Sequence, residues 1–148
     1  MTNYLIFRTD RIGDFLISAI LIKCIKKNDK NSHITLISSN NNFDYIKSFP
    51  HVDKVINLNN NIFGKLNLFL KLIKIKFKYI IIHDDKNRSK LISFFLRSSL
   101  KININSSKIS HIEIIKDILK KMNLKFIFLR ISLIISICEI LDLSMLIF

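Results

Sequence analysis

Short apolar runs alternate along the chain with longer segments whose apolar residues recur at helical spacing. The run NYLIF is typical of a buried strand, and similar runs follow as HITLIS, VDKVINL, KYIIIHD and LKINI. Between them the spacing predicts helices from Asp14 to about Lys27, within NNFDYIKSF, over 62–76 and within NRSKLISFFLRS, and after His111. The alternation predicts an α/β fold, a Rossmann-like parallel sheet with helices on both faces.

Three of the predicted helices show an apolar stripe that we expect to face the sheet. In the first helix, Ser18 and Lys23 lie away from the stripe. Its members are Ile17, Ile20, Leu21, Cys24 and Ile25. In the helix over 62–76 the stripe consists of Phe63, Leu66, Phe69, Leu70 and Ile73. In the helix after His111 its members are Ile112, Ile115, Ile118, Leu119 and Met122.

The length of 148 residues predicts one domain, over residues 1–125, followed by an apolar tail over 126–148. The tail has neither helical nor strand period. Its longest uncharged internal run, Ile131 to Cys138, is well short of the roughly 20 residues that span a membrane. Cys24 and Cys138 are too few for a disulfide framework or a metal quartet and fit a reducing cytoplasm.

The formal charge of +13 suggests anionic partners such as nucleic acid, anionic lipid or phosphorylated substrates. A genome rich in A and T would produce the same excess of lysine without selection for binding. Lysines are spread over several segments, tryptophan is absent and no zinc-finger spacing occurs, so nucleic acid is not the expected partner.

The loop RTDRIGD stands where the first strand becomes a helix. It is neither a dinucleotide fingerprint nor a Walker A loop, because it has one glycine and no G-K-[ST]. Gly13 permits a positive φ or the close approach of a substrate, and Asp14 is placed to cap the helix. Arg8 and Arg11 can bind phosphate or carboxylate groups, or they can pair with acidic residues such as Asp10 to fix the loop.

The loop HDDKNR follows the fourth strand. The carboxyl ends of parallel strands lie at one edge of a sheet, so we expect this loop and RTDRIGD to face the same side. Arg88 lies at its end, and Asp84 and Asp85 are interpreted as a turn. We predict no metal site, because the four histidines show no diagnostic spacing.

The segment YLIFRTDRIGDFLISAILIKCIKKN resembles the opening of the family 9 glycosyltransferases, the lipopolysaccharide heptosyltransferase group, through its R-x-D-x-I-G-D turn. FPHVDKVINL, YIIIHDDKNRSKLISFFLRSSLKINI and HIEIIKDILKKMNL are similar to later family segments in the same order, so the resemblance covers about residues 3–125. One departure is Ile20, where the family usually has proline. The resemblance implies the N-terminal half of a GT-B fold, without the domain that binds the donor.

The resemblance implies that the chain is part of an inverting transferase that would move a sugar from a nucleotide-sugar donor, with ADP-heptose as the candidate, to a lipopolysaccharide core or related glycan. No cofactor or metal is implied. Asp14 would be the general base, and Arg11, Gly13 and Arg88 would bind the acceptor. Arg8 and Asp10 would position the loop. A truncation or frameshift would explain both the short chain and the tail, and the donor-binding domain would then be missing or separate.

Two alternatives to an enzyme remain open at this stage. One is a non-catalytic remnant that binds a glycan or lipid-linked acceptor. The other is a basic protein docked on nucleic acid or on an anionic inner-membrane surface. Lys65, Lys71 and Lys74 suit such a peripheral membrane location, but they equally suit the solvated side of a core helix.

Overall fold

The computed structural model describes residues 1–58, 61–104 and 110–126, with the backbone alone for 62, 63 and 65. Apart from residue 126, the tail predicted over 126–148 lies outside the described residues. The elements are β1 (Thr2–Phe7), α1 (Ile12–Asn28), β2 (Ser32–Ser38), α2 (Phe43–Lys47), β3 (Lys54–Asn57), α3 (Ile62–Ile73), β4 (Phe77–Ile82), α4 (Asn87–Phe94), β5 (Ser98–Asn103) and α5 (His111–Lys121). Each strand and helix predicted up to residue 121 is found within a few residues of its expected position.

The five strands form one parallel sheet in the order β3-β2-β1-β4-β5. The fold prediction of an α/β domain with a parallel sheet is confirmed. Because β1 pairs with β2 on one side and with β4 on the other, the chain winds outward in both directions from β1. The crevice beyond the carboxyl ends of β1 and β4 is therefore the switch point, where open α/β sheets bind ligands.

Successive residues of β1 point to opposite faces of the sheet and join two separate cores. Tyr4 and Ile6 pack with apolar residues of α1 and α5, whereas Leu5 and Phe7 pack with residues of α3 and α4. Helices therefore cover both faces, as predicted.

The predicted orientation of α1 is wrong in part. Ser18 is completely buried and Lys23 is also buried, while Ile17 and Ile20 remain partly exposed. The reason is that α1 packs against α5 as well as against the sheet, so that more than one side of the helix is covered.

The predicted apolar face of α3 is also wrong in part, although its member Phe69 packs against the core as expected. Leu68 and Leu72 pack into the core, whereas Leu66 and Leu70 are 55% and 53% exposed. Both pairs have the i, i+4 spacing of one helix face, and the fit against the sheet selects the first pair. The side chain of Phe63 lies outside the described residues. None of the helices in the described part of the chain has the length and apolar character needed to cross a lipid bilayer.

Candidate functional site

The loops after β1 and β4 contact each other at the switch point, as predicted from the parallel sheet. The Lys86 ammonium donates a hydrogen bond to the carbonyl of Thr9 at 2.9 Å and pairs with Asp10 at 2.6 Å. The Thr9 hydroxyl donates to Asp84 Oδ2 at 2.6 Å. Three side-chain contacts thus fix the two loops against each other.

Arg8 is buried beneath these loops and holds both of them. Its guanidinium donates to the carbonyl of Asp14 at 2.9 and 2.6 Å, and also to the carbonyl of His83. It lies 3.5 Å from the Asp10 carboxylate and 3.7 Å from that of Asp14. Burial lowers the pKa of Arg8, although the charges of Asp10, Asp14 and Asp84 oppose this shift. The geometry is that of an internal brace for the loop.

Asp14 is the third residue of α1 and not its N-cap, but its carboxylate does cap the start of the helix, as the third residue of a capping box. Arg11 takes the N-cap position in an extended conformation, and its backbone N–H lies 3.4 Å from Asp14 Oδ2. The Asp14 side chain is 41% exposed. Its carboxylate is therefore accessible from solvent while Arg8 holds its backbone from below.

Gly13 lies in the first turn of α1 with helical geometry, so the expected positive φ is wrong. A Cβ built at this position would meet no atom within 4 Å. The glycine is therefore required neither by backbone conformation nor by packing within the described residues. The space beside it is open, and the close approach of a substrate remains a prediction.

A cavity of about 210 Å³ opens at this edge of the sheet. Its walls combine carboxylates, imidazoles and apolar side chains from four parts of the chain. They are Arg8, Asp10, Asp14, His83, Asp84, Asp85, Ile104, His111 and Ile114. Of the predicted site residues, Arg8, Asp10 and Asp14 are therefore brought together in the wall.

The other predicted site residues lie outside the cavity wall. Arg11 and Gly13 are both exposed, and neither lies in the wall. Arg88 donates through Nη2 to the Thr9 hydroxyl at 2.9 Å, which ties the start of α4 to the first loop. Thr9 in turn contacts Asp84 of the cavity wall, so Arg88 is linked to the wall through two hydrogen bonds.

His83 was not predicted as part of the site, yet it lies in the cavity wall. Its Nδ1 is 2.7 Å from the hydroxyl of Ser18 on α1, and both side chains are buried. Burial, together with the nearby Arg8 and His111, lowers the pKa of His83 to about 3. The imidazole is therefore neutral near pH 7. The available sequence signal was a histidine at the end of a strongly apolar strand.

Asp84 was interpreted as a simple turn residue, and the structure gives it a wider role. Its Oδ2 accepts hydrogen bonds from the hydroxyls of Thr9 and Ser89, the latter at 2.7 Å. The side chain is buried. Asp84 thus joins the first loop to α4. Asp85 follows it with φ of 47°, a left-handed conformation that turns the chain toward the helix.

Asn42 is a further residue that the sequence did not reveal. Its side chain is completely buried and donates to the carbonyls of Arg8 and Asp10, each at 3.0 Å. Its Oδ1 accepts from the backbone N–H of Ser39 at 2.9 Å. The loop after β2 thereby supports the loop after β1. Asn42 lies in a run of asparagines, so the local sequence gave no reason to expect a role for this one.

The start of α5 brings His111 to the cavity. Ser110 is the N-cap, and its hydroxyl accepts from the backbone N–H of Glu113 at 3.4 Å while Glu113 reaches back to the Ser110 N–H at 3.3 Å. This capping box fixes the first turn of the helix. Among the described residues, no group of three or more histidine, cysteine, aspartate or glutamate side chains is arranged to hold a metal ion.

The fold is similar to that of solved bacterial glycosyltransferases. The Escherichia coli heptosyltransferase WaaC with ADP-2-deoxy-2-fluoro heptose superposes with a TM-score of 0.71 and 10% identity, over 86% of this chain and 50% of that one. A family 9 glycosyl transferase from Veillonella parvula gives 0.70 and 12%, over 84% and 42%. E. coli ADP-heptose lps heptosyltransferase II gives 0.58 and 16%, over 70% and 30%.

These matches concern the fold, because the sequence identities are low. No protein-family model matches the sequence, and no curated protein matches it significantly. The chain spans half or less of the length of each heptosyltransferase structure. It thus has the fold of about half of such an enzyme, in agreement with the expectation of one half of a GT-B fold.

Proposed function

We propose that this chain is the acceptor-side domain of a glycosyltransferase that moves a sugar, with heptose as the candidate, from a nucleotide sugar to a lipopolysaccharide core or related glycan. The observation that carries the proposal is the position of Asp14. Its half-exposed carboxylate lies in the wall of the switch-point cavity, and a buried arginine holds its backbone. The similarity to heptosyltransferase folds supports the same reaction class.

In the proposed reaction Asp14 accepts the proton of the acceptor hydroxyl. The oxygen then attacks the anomeric carbon of the donor, the bond to the nucleoside diphosphate breaks, and the configuration at that carbon inverts. A base in this role must come within hydrogen-bond distance of the hydroxyl. The exposure of the Asp14 side chain permits that approach, whereas Asp84 is buried and already accepts hydrogen bonds from two hydroxyls.

The remaining cavity residues would hold the acceptor. The neutral His83 and the exposed His111 offer ring nitrogens for hydrogen bonds to sugar hydroxyls. Arg11, Gly13 and Arg88 stay proposed acceptor-binding residues at the edge of this region. We propose that the nucleotide sugar, ADP-heptose as the candidate, binds to a second domain and that the reaction takes place in the cytoplasm, at or near the inner membrane.

The test compares Asp14→Asn with wild type, each fused to the donor-binding half of WaaC. We expect acceptor affinity within about twofold of wild type and a kcat lower by a factor of about 10² to 10⁴, because the base is lost and the shape is kept. ADP release from ADP-heptose in the presence of a core-glycan acceptor measures turnover, and calorimetry measures acceptor binding.

Asp44→Asn is the matched control, since Asp44 is exposed on α2 and outside the cavity. It should leave both quantities unchanged. Near-normal turnover in a folded Asp14→Asn fusion would disprove the assignment of the base. Acceptor binding without turnover in the wild-type fusion would instead favour a non-catalytic acceptor-binding domain.

A further inference from the structure

Large apolar side chains are exposed together on the outer side of α3 and α4. Leu66 and Leu70 of α3 are 55% and 53% exposed, and Leu91, Phe94 and Phe95 at α4 are 63%, 72% and 56% exposed. We call these five residues the apolar face. Single exposed apolar residues are ordinary on a protein surface, but a contiguous group marks an interaction site.

Ring contacts show that the apolar face is continuous. The ring of Phe95 packs edge-on against Phe69 of α3 at 6.0 Å and against Phe94 at 5.3 Å. Phe69 is adjacent to Leu70 in sequence, and Leu66 is one turn earlier on the same helix. Leu91 precedes Phe94 by one turn of α4. The two helices therefore present one surface rather than two isolated groups.

Lysines border the apolar face. The Lys101 ammonium donates to the carbonyl of Phe94 at 2.9 Å and lies 5.9 Å from the centre of its ring. Lys71 and Lys74 on α3 are exposed, next to Leu70 and one turn beyond it. The apolar face thus has cations at its edge beside both helices, from α3 on one side and from Lys101 of β5 on the other.

The part of the sequence that builds this side is almost free of acidic residues. Asp84 and Asp85 are the only two between positions 54 and 112, whereas lysine and arginine recur throughout. Asp84 is buried in the loop network, and Asp85 pairs with Lys90 at 2.6 Å. Neither carboxylate offsets the positive charge beside the apolar face.

We propose that the apolar face docks on an anionic lipid bilayer. Leucine and phenylalanine tips enter the boundary between headgroups and acyl chains, while Lys71, Lys74 and Lys101 contact anionic headgroups. The leucines favour a lipid partner, because a nucleic-acid surface needs only aromatic rings that stack on bases and cations that contact phosphates. A purely apolar protein partner would leave the lysines without a role. The proposal assigns a surface to the inner-membrane location given under the proposed function, but it does not rest on the sugar transfer itself, since docking requires no glycan.

Vesicle co-sedimentation of the full chain tests this docking. We expect strong binding to vesicles of phosphatidylcholine mixed with phosphatidylglycerol and at least roughly tenfold weaker binding to phosphatidylcholine alone, because several lysines act together. Added salt should weaken the binding to the anionic vesicles, since surface charges are screened.

Two pairs of variants separate the apolar and the cationic contributions. The double variant Leu91→Gln, Phe94→Gln should reduce binding at least about tenfold, whereas Ile112→Gln, at an apolar residue 48% exposed on α5, should not. The triple variant Lys71→Gln, Lys74→Gln, Lys101→Gln should reduce binding similarly. Its control, with Lys27, Lys47 and Lys120 changed to glutamine, removes the same charge from other exposed positions and should retain most of the binding.

Three results would overturn the proposal. Equal binding to neutral and anionic vesicles would remove the role of the lysines. Unchanged binding of the Leu91→Gln, Phe94→Gln variant would place the membrane contact elsewhere in the chain. A dimer in sedimentation velocity that this variant abolishes, without vesicle binding by wild type, would show that a second copy covers the apolar face. Circular dichroism of each variant confirms that loss of binding is not loss of fold.

Discussion

The two faces of the sheet are covered by helices in very different ways. On one face α1 is buried around most of its circumference, and α5 buries Ile114, Ile115, Ile118 and Leu119 while leaving mainly polar residues outside. On the other face α3 buries Leu68 and Leu72 but leaves Leu66 and Leu70 in solvent. A helix that only closes a core needs one apolar stripe. The second stripe of α3 is part of the surface that we propose docks on a lipid bilayer.

The largest expected effect contrasts a buried and an exposed phenylalanine. Phe15 on α1 is completely buried and packs edge-on against Phe49 at 5.4 Å, so Phe15→Ala should lower the free energy of unfolding by about 3–5 kcal/mol. Phe94→Ala, at a residue 72% exposed, should cost less than about 0.5 kcal/mol. Urea denaturation measures both. Similar losses would mean that Phe94 belongs to a core and that the two faces are alike.

A second contrast lies within α3 itself. Leu72→Ala removes a completely buried side chain and should cost about 2–4 kcal/mol, whereas Leu70→Ala removes a half-exposed one and should cost less than about 1 kcal/mol. Both variants replace leucine with alanine on the same helix, so the change in helix propensity is the same for the two. Denaturant midpoints measure the difference. If Leu70→Ala proved the more damaging, the stripe predicted from the sequence would be the true core face of α3.

The sequence predicted the elements and the location of the site because both follow from local pattern. Strands appear as short apolar runs, and the parallel arrangement puts their following loops at one edge. RTDRIGD could therefore be placed beside HDDKNR. The contact between the two loops requires that β4 pair directly with β1. The periodicity of the sequence does not reveal that pairing.

The errors have tertiary causes. Ser18 looked like a solvent-facing residue of α1, but it is completely buried and His83, at the end of β4, provides its partner. The stripes of α3 have the same spacing and similar composition, so only packing on the sheet distinguishes them. Asn42 contributes through one buried amide contacting two carbonyls, and nothing separates it in sequence from the neighbouring asparagines.

The smallest of the expected effects concerns the junction between β4 and α1 on the well-covered face. The pKa of His83 is about 3 in the folded protein, against about 6.5 in an unfolded chain, because burial and nearby Arg8 and His111 disfavour the charged ring. Between these values the unfolded state binds the proton and the folded state does not, so stability rises with pH. This contribution is complete above about pH 6.5 and should be lower by roughly 2 kcal/mol at pH 5.

Urea denaturation at pH 7 and at pH 5 measures this loss in wild type and in His83→Gln. The variant should be less stable at pH 7, since it disturbs the contact with Ser18, but its stability should change less between the two pH values. His33→Gln is the control, because His33 lies on β2 outside the cavity and should leave the wild-type pH dependence in place. An unchanged pH dependence in His83→Gln would show that His83 becomes protonated without cost in the folded state. The pKa of His83 would then be the ordinary value of about 6.5, and the junction between β4 and α1 would be as open to water as the outer side of α3.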